Sequence, residues 1–231
     1  MVIFTNKYLN MGYLILQMKF DKKELIIITL ILTMFIVAFY FYPRVPDQVP
    51  THWNAKGEVD DYNSKFFGLF FMPILMTAIY LLFLIIPKIA VFRKNVEEFY
   101  DKYFFGFKLV FVLFFAVIYT AMILATLGYK IKMTYFVIPA ISMLFFYIGY
   151  MLQFAKRNYF IGIRTPWTLS NDEVWEKTHK LGSKLFMFKG VIILSSLFFE
   201  EYAILLLIVL VAASVTFLFV YSFLEYKKVE K

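Results

Sequence analysis

Two polar stretches hold nearly all the residues with chemical potential in this 231-residue chain. The first, Pro43 to Lys65, sets His52 near Asp47, Asp60 and Asp61. Imidazole with carboxylate is a ligand set for a divalent transition metal. The spacing fits no metal template, so a histidine hydrogen-bonded within the loop is the plainer expectation and no metal is assigned. Pro43, Pro46 and Pro50 each hold the preceding residue extended, which predicts a stiff arm leaving a helix. Asn54 to Gly57 reads as a tight turn, with Gly57 taking a backbone angle other residues resist. Trp53 and Tyr62 suit a lipid headgroup layer, ring apolar and donor wet. The candidate binding residues here are His52, Asn54, Gly57, Asp60 and Tyr62.

The second stretch, Lys156 to Lys184, is dense in polar and aromatic residues. Gly162 between two isoleucines allows a close backbone approach, and Thr165 before Pro166 should be extended. Ser170-Asn-Asp-Glu173 has the capping-box pattern and predicts a helix starting there and running toward the next apolar segment. On that helix Val174, Thr178, Leu181 and Leu185 share a face, with Lys177, Lys180 and Lys184 beside it. One reading is an interfacial helix lying on anionic lipid. The other makes Trp175, His179, Arg157 and Arg164 a docking surface for a cytoplasmic partner. The candidate binding or signalling residues are Asn158, Gly162, Arg164, Thr165, Pro166, Trp167 and Trp175.

Catalytic assignments are lacking. The chain has no Gly-x-Ser-x-Gly, no His-Glu-x-x-His and no cysteine. Its two histidines fall on opposite sides of the membrane in the topology below. The expectation is a protein that is not an enzyme and carries no cofactor.

The elements that position these loops follow from composition. Hydrophobic residues make up 62%, aromatics 22%, and mean hydropathy is +0.73. Soluble domains carry about 45–50% apolar residues, so the excess points to lipid as solvent. Six runs reach or approach the roughly 20 residues that cross a bilayer. They lie near Leu25–Tyr42, Phe66–Pro87, Leu109–Gly128, Thr134–Ala155, Leu185–Phe199 and Tyr202–Leu224. Pro73 and Pro139 are expected to kink their spans. The fifth is the weakest, being short, with Lys189 in its first turns and expected to snorkel to the interface.

Orientation follows from the cations. With the N-terminus inside, 19 of the 24 lysines and arginines fall in inner segments, a strong positive-inside signal. The net charge of +8 then reflects loops facing anionic lipid, not nucleic acid. The fold expected is an all-α integral membrane bundle of six transmembrane helices, N-in/C-in, in the cell membrane. Residues 1–24 read as a cytoplasmic tail, or as a start placed too early. Residues 25–231 read as one membrane domain: an N-terminal pair over 25–87 with outer loop 43–65, then 134–225 with inner loop 156–184. The runs at Arg93–Lys102 and Lys227–Lys231 read as solvated ends without further role. Apart from edge lysines the spans show no ionisable group, which argues against a coupled transporter.

Both loops together resemble a known family. Asn158-Tyr-Phe-Ile-Gly-Ile-Arg-Thr-Pro-Trp-Thr-Leu169 with Val174-Trp175 is similar to the signature of the SdpI-type immunity proteins. Pro50-Thr-His-Trp-Asn-x-x-Gly-x-x-Asp-x-Tyr62 resembles the small domain of unknown function that often precedes it. The resemblance implies a multi-pass membrane protein protecting its cell from a secreted toxic peptide. In founding members it also implies capture of a cytoplasmic repressor at the membrane. The outer loop would then meet the ligand and the inner loop report it or support the bundle. A small-solute or peptide transporter, and a membrane enzyme acting on lipid or cell wall, are the alternative classes.

Overall fold

The computed structural model describes residues 21–89 and 93–230. All but the last four residues of the expected 1–24 tail therefore lie outside the described residues. In chain order come α1 (Glu24–Phe41), strands β1 (Gln48–Trp53) and β2 (Val59–Ser64), α2 (Lys65–Ile89) and the short α3 (Arg93–Phe99). A π-helical turn (Tyr100–Phe104) leads into α4 (Phe105–Thr126), followed by α5 (Thr134–Leu152) and the one-turn α6 (Pro166–Ser170). Then α7 (Asp172–Ser195), a 3-10 segment (Ser196–Tyr202) and α8 (Ala203–Val229) complete the chain. Six helices, α1, α2, α4, α5, α7 and α8, are long and apolar enough to cross a membrane. This is the expected multi-pass membrane bundle.

The helices form two groups. Ile27, Met34 and Ala38 of α1 bury against Leu69 and Met76 of α2 and against Val112 and Tyr119 of α4. Tyr119 ties the three together, its hydroxyl donating to the carbonyls of Met34 (3.3 Å) and Leu69 (3.1 Å). The second group is α5, α7 and α8, with Ile138, Ile193 and Ala203 at its centre. Within it α5 and α7 pack most extensively. A Cβ on Gly149 would lie 2.6 Å from the Met187 nitrogen, and one on Gly190 would lie 2.7 Å from the Ser142 carbonyl oxygen. Small residues at both crossing points let the backbones touch, which is how helices associate when lipid supplies no hydrophobic drive between them.

Three features differ from expectation. The Pro43–Lys65 loop is not simply an arm but a β-hairpin, its strands antiparallel with Pro50 opposite Tyr62. Register irregularities follow Pro50, where a residue without an N–H interrupts the ladder. Trp53 packs against the α1–α2–α4 core, and its indole nitrogen is buried, so its donor does not stand in water.

The fifth span is not a separate short helix. It is the C-terminal half of α7, which begins at Asp172 and runs through without a break. Lys189 consequently lies well inside the bundle and does not snorkel. It is 4% exposed, its amine donates to Ser214 Oγ on α8, and it faces the rings of Phe186 (4.1 Å) and Phe145 (4.8 Å). Ser214 is eleven residues into α8, so at 1.5 Å per residue Lys189 sits about 16 Å from that end of the helix. That depth is near the middle of a bilayer core about 30 Å thick. Lys189 leaves the inner charge count.

The third difference is a buried ion pair at the opposite end. Glu24 and Lys108, 9% and 5% exposed, form a salt bridge between α1 and α4, and Tyr80 of α2 donates to Glu24 at 2.9 Å. The spans therefore do enclose ionisable groups. Glu24, the first residue of α1, and Lys108, in the first turn of α4, pair with one another, as buried charges do.

A buried amine with no carboxylate partner carries a desolvation cost that one hydroxyl offsets only in part, and Ser214 keeps its bond to the Val211 carbonyl without it. Lys189→Met is therefore expected to leave the thermal midpoint of the detergent-purified protein unchanged or higher. A lower midpoint in the same detergent would show that the amine holds α8 in place.

Candidate functional site

The hairpin is built by its own side chains. Asn54 Oδ1 accepts the backbone N–H of Lys56 (2.9 Å) and of Glu58 (3.1 Å), while Gly57 takes φ 76° and its N–H bonds back to the Asn54 carbonyl (2.9 Å). His52 Nδ1 meets Asp60 Oδ1 across the strands at 2.6 Å. Asp47 is engaged elsewhere, by Lys65 at 2.9 Å, whose ammonium holds that carboxyl below the usual range. Of the three nearby acids only Asp60 meets His52; Asp47 pairs with Lys65 and Asp61 accepts the Tyr62 N–H at 2.8 Å.

The hairpin tip docks on the second helix group. The Gly57 carbonyl accepts the Met133 N–H at 3.0 Å, and the missing side chain of Gly57 leaves room for Thr134 at the start of α5. Tyr62, 55% exposed, instead faces a cleft of about 500 Å³ between the hairpin and the α4–α5 turn. Pro46, Pro50, Val59 and Tyr129 line it with Glu58 and Lys130. Of the five outer candidates, four build the hairpin and Tyr62 lines the cleft.

The inner loop is a knot around Asn158, which is 1% exposed. Its amide nitrogen donates to the carbonyls of Lys156 (2.8 Å) and Ile161 (3.1 Å). Its amide oxygen accepts the N–H groups of Phe160 (2.8 Å) and Ile161 (2.7 Å). One side chain satisfies four backbone groups in a segment that has left the helix.

Gly162 turns the chain at φ 119°, with its α-carbon against the imidazole of His179. The next N–H, of Ile163, donates to His179 Nε2 at 2.9 Å, and His179 Nδ1 lies 2.8 Å from the Trp175 carbonyl. An acceptor at Nε2 and a carbonyl at Nδ1 fix the neutral tautomer with its proton on Nδ1. Trp175 stacks on that ring at 3.9 Å and its indole donates to the Ala155 carbonyl at 2.6 Å. Both residues are almost fully buried, 3% and 2% exposed. They hold the loop onto α7 and present little surface of their own.

Thr165 is extended before Pro166, as expected, and caps α6 reciprocally with Thr168. Its hydroxyl also meets Ser222 Oγ of α8 at 3.0 Å. Trp167 packs on Phe219 and Phe223 of the same helix. The cap of α7 is Asn171 rather than Ser170: Asn171 Oδ1 accepts from Glu173 (2.8 Å) and Val174 (3.1 Å). Ser170 donates to the Trp167 carbonyl and closes α6. Arg157 bridges Asp172 (2.8 Å) and the Leu169 carbonyl (3.0 Å).

The segment read as a solvated end also has a part here. Asn95 of α3 donates to the Arg157 carbonyl at 2.9 Å, and Glu98 binds Lys156 at 2.7 Å. Lys156, then Lys102, hold the Glu98 carboxyl below its usual range. Arg164 is exposed and donates to the Tyr159 carbonyl at 2.6 Å. The structure thus splits the inner candidates. Asn158, Thr165 and Trp175 are buried fasteners, and Arg164 and Pro166 are exposed. Sequence reading missed Thr168, Asn171, Ser222 and Asn95. The Thr165–Thr168 spacing was a signal for the first of these.

Architecture and loops together define a multi-pass α-helical membrane protein whose two polar loops are internally braced. Residues 29–77 match a domain of unknown function, DUF1648, and residues 155–222 match the SdpI/YfhL protein family. The two matched segments, in this order, are similar to that small domain and to that family. The Immunity protein SdpI of Bacillus subtilis (strain 168) is 27% identical over 208 residues, covering 90% of this chain and 97% of that protein. No solved structure matches.

Asn158→Asp tests the knot. It keeps the shape but sets carboxylate oxygens against two carbonyl oxygens that now receive hydrogen bonds. Leaving such groups unpaired costs about 1–3 kcal/mol each, so a clear loss of thermal stability and faster proteolysis within 156–165 are expected. Unchanged cleavage at equal membrane abundance would contradict the bonding described.

Proposed function

We propose that this protein protects its own cell against a secreted toxic peptide, acting as a membrane-resident immunity protein and not as an enzyme. The observation that carries this reading is the similarity to the Bacillus subtilis immunity protein across 90% of the chain. The bonding of the inner loop supports the non-enzymatic part. Its amide, imidazole and hydroxyl groups are spent on backbone and on neighbouring helices, leaving a scaffold instead of a poised acid, base or nucleophile.

In this reading the bundle lies N-in/C-in, with the hairpin and its cleft outside, where a peptide arrives. Tyr62 and the apolar cleft walls are the receiving surface, and His52, Asn54, Gly57 and Asp60 set their shape. On the inner face, Arg164 and Pro166 remain for a cytoplasmic repressor, while Asn158, Gly162, Thr165, Trp167 and Trp175 hold that face in form.

Two measurements test this. Reporter fusions should place Ala55 and Ile131 outside and Glu98, Asp172 and Val229 inside. An external signal at Val229 would break the orientation. Arg164→Lys keeps the charge but loses the planar fork that grips carbonyls and carboxylates. At equal membrane abundance it should protect cells from the peptide less well than the parent does. Full protection would remove Arg164 from the working surface.

A further inference from the structure

A second cleft, of about 620 Å³, opens beside the inner loop at the end of the bundle formed by α3, the π-helical turn and the start of α7. Such volumes suit a small-molecule ligand. Its rim carries charges of both signs. Glu98 is shared between Lys156 at 2.7 Å and Lys102 at 3.7 Å. Glu176 and Lys180 also line it, exposed and with no ion-pair partner among the described residues. Arg157 and Asp172 satisfy one another at 2.8 Å.

Below the rim the walls turn aromatic. Phe99, Tyr103, Phe154 and Trp175 line the cleft. From there a track of rings leaves it along α5. Tyr103 stacks on Phe154 at 4.2 Å and an interplanar angle of 3°. Phe154 meets Tyr150 at 5.4 Å and Tyr150 meets Tyr147 at 5.8 Å. Phe154 and Tyr150 remain 36% and 41% exposed on the flank of the bundle. Charged rim, aromatic wall and lipid-facing track follow one another in the order of a phospholipid's headgroup, glycerol and chain.

We propose that this cleft binds a zwitterionic aminophospholipid from the adjoining leaflet. Its phosphate is taken by Lys102, Lys156 and Lys180, its ammonium by Glu98 and Glu176, and one acyl chain lies along Tyr103, Phe154 and Tyr150. The exchange conserves charge pairing: the lipid ammonium replaces a lysine on Glu98, and the freed lysine takes the phosphate. An anionic lipid would release the lysines without giving the two carboxylates a partner. The site is independent of the protective role proposed above.

The test uses the full chain in nanodiscs with equal phosphatidylethanolamine and phosphatidylglycerol, followed by release into the gas phase and mass analysis of retained lipid. The parent should retain one phosphatidylethanolamine in about tenfold preference, the ratio set by roughly one good contact. The K102Q/K156Q variant should lose that lipid. The E98Q/E176Q variant should instead reverse the preference toward phosphatidylglycerol, which a damaged fold would not do. Glycerophosphoethanolamine, which lacks chains, should not displace the lipid. Equal retention of the two lipids by the parent, or no change of preference in E98Q/E176Q, overturns the proposal. Displacement by the chainless headgroup overturns the lipid assignment.

Discussion

Backbone that leaves a helix at a membrane surface must find hydrogen-bond partners where water is scarce, and this structure turns on how that is solved between α5 and α7. Segment 153–165 has no ladder of its own. Asn158 satisfies four of its backbone groups, His179 accepts the Ile163 N–H, and Trp175 and Asn95 donate to the carbonyls of Ala155 and Arg157. Buried and unpaired, each such group would cost about 1–3 kcal/mol. Because the partners come from α3 and α7, closing the loop also fixes those elements. Thr165 and Trp167 extend the same fastening to α8. The fold of the second helix group and the form of the loop are therefore one problem with one solution.

The charges inside the bundle follow a related rule. Glu24 and Lys108 neutralise each other with Tyr80 completing the carboxylate's bonding, so three helices meet at one polar point. Lys189 is handled differently, by a hydroxyl and two aromatic faces. The Ser214 hydroxyl donates to the Val211 carbonyl at 2.9 Å, which leaves its oxygen free to accept from the lysine. The ring faces carry partial negative charge toward the amine. Both arrangements turn polarity inward, leaving the long apolar faces of α1, α2 and α8 to lipid.

The spans were legible because hydropathy over about 20 residues is a strong signal that needs no tertiary information. So were the turn at Gly57, the close approach at Gly162 and the extended Thr165, each set by local backbone sterics. What was not legible depended on distant partners. Glu24 and Lys108 are 84 residues apart, and each looks like a loop residue beside an apolar run. Lys189 was read as marking a helix end because a lysine usually does, while the continuity of α7 carries it far deeper. The hairpin hid behind three prolines and acidic residues, both poor in β-propensity. The cap of α7 was displaced by one residue because Ser170 and Asn171 can both cap, and α6, unseen in the sequence, had already taken Ser170.

The buried state of the signature bears on what a match to it means. Residues such as Asn158, Thr165 and Trp175 touch backbone and neighbouring helices, so any chain needing this loop needs them, whatever it binds. Similarity concentrated there speaks first for the shape of the inner face. The hairpin side differs. Its hairpin is held by local bonds, yet its cleft is walled by Tyr62, Pro46, Val59 and Tyr129, which face outward and whose loss would leave the bundle core intact. Gly57 rests on the first residues of α5, and α5 packs along α7, which carries Trp175 and His179 at its other end. A ligand that displaced the hairpin would load the one helix pair whose backbones touch at both Gly149 and Gly190. Those two crossings are the close backbone contacts through which a shift of α5 would reach α7.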